Sequence, residues 1–95
     1  MSCYFVAQIS IHDRHEYQKY LDGHDEIFSK YKGKVMAVDE SPELVEGEWQ
    51  YSRTVLISFP DKQEAKRWYQ SAEYQDLAKY RHRASDANIV LLRGR

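Results

Sequence analysis

The chain has 95 residues, a length that accommodates one domain, so residues 1–95 are expected to form a single domain. Its 14 Lys and Arg residues against 15 Asp and Glu residues give a formal net charge of -1, which argues against a nucleic-acid-binding protein because such proteins carry a basic excess. The hydrophobic content of 42% excludes a disordered chain, and no apolar run approaches the roughly 20 residues that cross a bilayer.

The first third of the chain predicts a strand followed by a helix. Residues Cys3–Ile11 are rich in β-branched and aromatic residues, and every second one is apolar. Asp13 has the chemistry of a helix N-cap, with Glu16 placed to complete a capping box. Apolar and aromatic residues then recur every three or four positions over 17–31, which predicts an amphipathic helix. Gly33 is expected to end this helix in a left-handed conformation.

The rest of the chain predicts three more strands and a second helical region. Lys34–Glu40 and Arg53–Phe59 predict the second and third strands. Asp61 has the position of an N-cap for the second helix, and Ser71 indicates a restart or kink within it. Ala87–Arg93 predicts the fourth strand. The order βαββαβ is typical of the ferredoxin-like α+β plait, a four-stranded antiparallel sheet with both helices on one face.

The opposite face of this predicted sheet is too apolar to face water. Strand one presents Tyr4 and Val6 there, and residues 89–92 are apolar on both faces of strand four. Small folds need a stabilising device, and Cys3 is the only cysteine, so an intrachain disulfide is impossible. These features predict a homodimer in which two sheets pack face to face.

Neither a metal nor a cofactor is expected. His12 and His15 lie three residues apart at a strand–helix junction, but no second cluster completes a tetrahedral site, and the four glycines form no phosphate-binding motif. A single histidine suffices to ligate haem, although no residue pattern points to haem here. The N-terminus shows no basic segment followed by a cleavable apolar core, and the lone thiol suits a reducing compartment, so the expected location is the cytoplasm.

The segment from Trp68 to Arg81 carries the strongest indication of a ligand site. Trp68 and Tyr69 offer aromatic walls, and Tyr74 lies two helical turns before Arg81. An arginine in line with core residues needs an acidic partner, because an unpaired buried charge is costly. Two hypotheses follow: an internal salt bridge to Asp13 or Glu46, or an anionic ligand gripped by the planar guanidinium.

Other candidate site residues come from the first helix, the third strand and the start of the last helical segment. Tyr17, Tyr20 and His24 form one helical edge, and together with Tyr74 they are candidate acid–base catalysts, although aromatic residues at this spacing also occur as ordinary core. Arg53 opens strand three and is a candidate anion ligand that can also reach the rim of the fold. Ser71 is a candidate ligand-binding residue, with a helix cap as the better-supported role.

An ordered set of residues spans essentially the whole chain: Tyr4, Asp13, Tyr17, Tyr20, Tyr31-Lys32-Gly33-Lys34, Glu46-Gly47-Glu48-Trp49, Arg53, Phe59-Pro60, Ala65, Trp68-Tyr69, Ser71, Glu73-Tyr74-Gln75 and Arg81. This set resembles the family called domain of unknown function 1330. Lys32 departs from the family, which often has a second glycine there.

The resemblance implies the dimeric α/β-barrel superfamily, whose members include cofactor-independent monooxygenases, muconolactone isomerases, stress-response proteins and haem-binding enzymes. Members commonly hold a small apolar or aromatic ligand between sheet and helices. Three hypotheses stay open at this point: a cofactor-independent enzyme acting on a small organic acid or aromatic compound, a non-catalytic ligand-binding or stress-response module, and a purely structural dimer.

Overall fold

The computed structural model describes residues 2–95. In chain order the elements are β1 (Cys3–Ile11), α1 (Arg14–Phe28), β2 (Lys34–Asp39), β3 (Arg53–Phe59), α2 (Lys62–Tyr69), α3 (Ala72–Ala84) and β4 (Ser85–Arg93). The strands form one antiparallel sheet in the order β2-β3-β1-β4, with β1 paired to both β3 and β4. The predicted ferredoxin-like α+β fold is confirmed.

Local capping interactions start each helix as the sequence predicts. Asp13 accepts a hydrogen bond from the Glu16 backbone N–H at 3.1 Å, and Asp61 accepts one from the Glu64 backbone N–H at 2.8 Å. Ser71 caps α3 by accepting from the backbone N–H three residues later at 3.1 Å, so the second helical region is divided into α2 and α3. Each cap satisfies a backbone donor that the first helical turn leaves free.

The predicted end of the first helix is wrong. Helix α1 ends at Phe28, and Ser29 caps it in a right-handed conformation. Gly33 has no positive φ, so it is not a left-handed cap. A glycine is needed there for space instead, because a Cβ atom at Gly33 would lie 2.6 Å from the Phe28 ring and 2.7 Å from the Phe59 ring. Strand β2 ends one residue earlier than predicted, and β4 begins two residues earlier.

Helix α1 packs chiefly against α3 and stands away from the sheet. Gly23 permits this close helix pairing, since a Cβ atom there would lie 2.7 Å from the Leu77 Cδ1 atom of α3. Every residue of β2 is exposed, because no helix covers this edge strand. The arrangement leaves a space between α1, the inner face of the sheet and α3.

A β-bulge in β2 sets which of its side chains face this space. Val35 pairs with Ile57 of β3 and Val38 pairs with Val55, with a register shift between residues 35 and 37. In a regular strand, residues three positions apart point to opposite faces. The bulge inserts one extra residue and brings both valines to the face that carries Ile57 and Val55.

The sheet surface opposite the helices, called the outer face here, is partly apolar. Val6 pairs with Leu56 on one side and with Val90 on the other, and Tyr4 pairs with Leu92. Val90 and Leu92 are 53% and 49% exposed. Within residues 2–95, no helix combines the length and apolar character that crossing a bilayer requires.

Candidate functional site

A cavity of about 440 Å³ lies between α1, α3 and the inner face of the sheet, and is called the inner cavity here. This volume falls within the range of about 300–1,000 Å³ that small-molecule sites occupy. The strands contribute Phe5, Ala7, Ile9, Val35, Val38, Arg53, Val55, Ile57 and Ile89, and the helices contribute Tyr17, Tyr20, Leu21, His24, Asp25, Trp68, Tyr69, Tyr74 and Arg81. The lining is therefore mostly aromatic and aliphatic, with two arginines as its permanent cations.

Arg81 is the most unusual member of this lining. It is only 4% exposed, and it belongs to none of the ion pairs formed among residues 2–95. Its Nε and Nη2 atoms are buried without a hydrogen-bond partner, and its guanidinium lies 5.7 Å from the Tyr20 ring centroid. The hypothesis of an internal salt bridge to Asp13 or Glu46 is therefore wrong for the described chain. Leaving the donors of a buried arginine without acceptors costs free energy, so a ligand that supplies acceptors would be bound favourably.

Two phenols lie beside Arg81. The hydroxyl oxygens of Tyr20 and Tyr74 are 2.7 Å apart, so one phenol donates a hydrogen bond to the other. Burial raises the pKa of Tyr20 well above its usual range, and burial also raises the pKa of Tyr74, although Arg81 opposes the second shift. Both phenols are thus protonated at neutral pH, and the pair retains one O–H that can donate to a ligand.

His24 is the titratable group of the cavity best suited to accept a proton near neutral pH. Its ring stacks on Phe28 with centroids 5.1 Å apart and meets Trp68 edge-on at 6.0 Å. Burial lowers the pKa of His24 below its usual range, and its contact with the exposed Asp25 carboxylate, 3.5 Å from Nδ1, opposes that shift only in part. The imidazole is consequently neutral at physiological pH and able to act as a base.

Arg53 and Trp68 add two more polar groups to the lining. Arg53 pairs with the Glu40 carboxylate, so its charge is largely compensated, and its guanidinium lies 5.6 Å from the Tyr17 ring centroid. The Arg53 Nε and Trp68 Nε1 atoms are both buried without a hydrogen-bond partner. Each is a further donor that the protein itself does not satisfy.

The structure brings most of the sequence-predicted site residues together. Those that line the inner cavity are Tyr17, Tyr20, His24, Arg53, Trp68, Tyr69, Tyr74 and Arg81. Ser71 is not among them, because its hydroxyl donates to the Trp68 carbonyl at 2.8 Å and accepts from the backbone N–H of Tyr74.

Sequence reasoning missed the residues at the edge of the cavity. Leu21, Asp25, Val35 and Val38 line the cavity, but none of them was predicted to be a site residue. Leu21 carried a usable signal, since it belongs to the apolar stripe of α1. Val35 and Val38 carried none, because the bulge that aligns them is invisible in the sequence.

A metal site requires side chains that come close enough together to bind a metal ion. In residues 2–95, no three His, Cys, Asp or Glu side chains come together as possible ligands. His12 and His15 are both exposed.

Together, the four-stranded antiparallel sheet and the inner cavity define a ferredoxin-like α+β protein with a partly enclosed space between sheet and helices. The chain belongs to the family described as Domain of unknown function (DUF1330), whose model matches residues 2–95. No curated protein matches the sequence.

Several solved structures share this fold at low sequence identity. RPA0582, a protein of unknown function from Rhodopseudomonas palustris, is 13% identical with a TM-score of 0.80, covering 99% of this chain and 82% of its own. SnoaB, a cofactor-independent oxygenase from Streptomyces nogalater, is 16% identical with a TM-score of 0.67, covering 99% and 93%. A dabb family protein with a ferredoxin-like fold from Mesorhizobium loti is 13% identical with a TM-score of 0.65, covering 99% and 97%. At such identities the likeness establishes the fold alone.

Proposed function

We propose that this protein binds a small aromatic or apolar organic acid in the inner cavity, with the acid group held by Arg81. The observation that supports this proposal is the burial of an unpaired guanidinium among aromatic side chains. A carboxylate or enolate supplies the acceptors that Nε and Nη2 lack, and these two nitrogens form one edge of the guanidinium that suits bidentate binding. Trp68 and Tyr69 would pack against the ring of the ligand.

A matched pair of ligands tests this proposal directly. The 2-naphthoate anion and neutral 2-naphthamide have nearly the same shape and differ in charge. We expect naphthoate to raise the melting temperature in a saturable manner, since a ligand at a hundredfold excess over its dissociation constant stabilises a protein by about 2.7 kcal/mol. We expect the amide to bind at least tenfold more weakly. Equal binding of the two compounds, or no binding by either, would contradict the proposal.

The same cavity favours a second candidate function, namely proton-transfer chemistry on the bound compound without a cofactor. His24 supports it, because a neutral imidazole in the lining is able to remove a proton. Tyr17, Tyr20 and Tyr74 are candidates for donating one. SnoaB, which has a similar fold, is described as a cofactor-independent oxygenase. Each compound that binds would be incubated in air with the protein and its products identified by mass spectrometry.

Conversion of a bound compound to product distinguishes an enzyme from a binding module in that experiment. If the protein catalyses a reaction, His24→Gln should abolish product formation while the compound still binds. If no bound compound is converted, the protein is a ligand-binding module, and a stress-response role becomes the better explanation. A chain that binds no acid at all would leave a purely structural dimer.

We further propose that two copies associate through the outer face. Val90 and Leu92 present apolar surface there that a partner sheet would remove from water. Sedimentation equilibrium should give twice the chain mass, and Leu92→Lys should shift the equilibrium to monomers. A wild-type protein that sediments as a monomer at micromolar concentration would contradict the proposal.

A further inference from the structure

The exposure of the cavity lining identifies where the inner cavity opens. Tyr17, Tyr74 and Arg81 are 2–4% exposed, whereas Leu21 is 37%, Val35 42% and Val38 49% exposed. The three exposed residues belong to α1 and β2, the two elements between which no close packing occurs. The mouth of the cavity therefore lies between α1 and the edge strand β2, and its closed end lies at α3.

The chemistry of the lining changes along the same direction. The closed end carries the unpaired Arg81 and the Tyr20–Tyr74 hydroxyl pair. The middle is aromatic, and the mouth is an apolar rim formed by Leu21, Val35 and Val38. Asp25 also lines the cavity; it follows Leu21 by one turn of α1, and its carboxylate is fully exposed.

This gradient orients a bound acid. An acid group left at the mouth would face apolar side chains and the like charge of Asp25, and an apolar tail at the closed end would leave the Arg81 donors unsatisfied. The reverse orientation gives the acid group a guanidinium and gives the tail an apolar exit. A tail longer than the cavity would extend across the three rim residues toward solvent.

We infer that the ligand is an amphipathic acid that enters between α1 and β2, places its carboxylate at Arg81 and lays its apolar tail over Leu21, Val35 and Val38. The inference rests on the proposed binding of an organic acid and adds the orientation and the ligand class. It predicts that affinity grows with the length of a tail attached opposite the carboxylate.

The test measures dissociation constants by calorimetry for benzoate, 4-butylbenzoate and 4-octylbenzoate. For each methylene that the rim covers, affinity should rise about twofold to fourfold. The substitutions Val38→Glu and Val38→Lys then probe the rim with both charges, and Val45→Glu is the matched control, because Val45 is 89% exposed and lies outside the cavity lining. Far-UV circular dichroism checks that each variant is folded.

The two charges at position 38 separate the possible orientations. An apolar tail at the rim predicts that both Val38→Glu and Val38→Lys weaken 4-octylbenzoate at least tenfold, leave benzoate within about threefold, and that Val45→Glu changes neither. If Val38→Lys tightens binding while Val38→Glu weakens it, the acid group sits at the mouth and the inference is overturned. It is also overturned if the acids bind with affinities that do not depend on tail length. Failure of every acid to bind wild-type protein refutes the proposed function itself.

Discussion

Replacing Arg81 with methionine should make the unliganded protein more stable and at the same time abolish acid binding. The guanidinium has two buried donors without partners, and each such donor costs about 1–3 kcal/mol. Methionine fills a similar space without those donors. The change also removes the contact with the Tyr20 ring at 5.7 Å, a cation–π interaction worth about 0.5–2 kcal/mol. We therefore expect the free energy of unfolding to rise by about 1–3 kcal/mol.

The loss of binding follows from the same side chain. A hydrogen bond to a charged group contributes about 1.5–3 kcal/mol, so losing two of them should weaken a carboxylate ligand by about 100-fold or more. Urea denaturation at one fixed protein concentration measures the first effect, and calorimetry with 2-naphthoate measures the second. For a domain of this size, a gain of 1 kcal/mol corresponds to a rise of about 4–8 °C in melting temperature.

Arg83 provides the matched control, because it lies on the same helix with a side chain that is 58% exposed. Arg83→Met removes the same charge, and we expect it to change stability by less than about 1 kcal/mol and to leave affinity unchanged. A drop in stability of about 3 kcal/mol in Arg81→Met would refute the reasoning, since that is the cost of breaking a buried ion pair. Unchanged naphthoate affinity in this variant would refute the assignment of Arg81 as the acid-binding residue.

Three further predictions concern single groups. Ser71→Ala should lower the free energy of unfolding by about 1 kcal/mol through loss of the α3 cap, and ligand affinity should stay unchanged. A loss of affinity beyond threefold would show that Ser71 takes part in ligand binding. Tyr20→Phe should cost about 1–3 kcal/mol in urea denaturation because the buried Tyr74 hydroxyl loses its partner, and an equal cost in a Tyr74→Phe background would show that the two hydroxyls are not coupled. His24 has a lowered pKa when folded, so the unfolded chain binds more protons and stability should fall as pH drops below about 6.5. His24→Leu should flatten that part of the pH profile measured by thermal unfolding. An unchanged slope would contradict the assignment of this pH dependence to His24.

Much of the fold is predictable because it depends on neighbours in the sequence. The alternation of β1 and the caps Asp13, Asp61 and Ser71 are interactions within a few residues, and each stands where the sequence places it. The end of α1 was mispredicted for the opposite reason. Gly33 has the position of a helix terminator, but glycine is needed there because two phenylalanine rings leave no space for a side chain. One of these rings lies 26 residues further along the chain.

The membership of the site was also visible in part. Aromatic and basic residues at helical spacing identified seven of the cavity residues, because the helical period determines which side chains of α1, α2 and α3 share a face. The eighth, Arg53, was identified from its position at the start of β3. Their chemical states were not visible. Whether Arg81 has a partner depends on which carboxylates the folded chain brings near it. Whether Tyr20 meets Tyr74, 54 residues later in the chain, depends on how α1 packs against α3.

The order of elements, the helix starts and the inward faces can therefore be predicted from the chain alone, because they follow from short-range periodicity and capping. Three other features could not be predicted in this way: α1 stands off the sheet, a bulge in β2 turns Val35 and Val38 toward the resulting space, and Arg81 is buried there with free donors. These outcomes arise from the packing of distant segments against one another. No local propensity specifies them, because the distances involved exist only after the sheet and helices have come together.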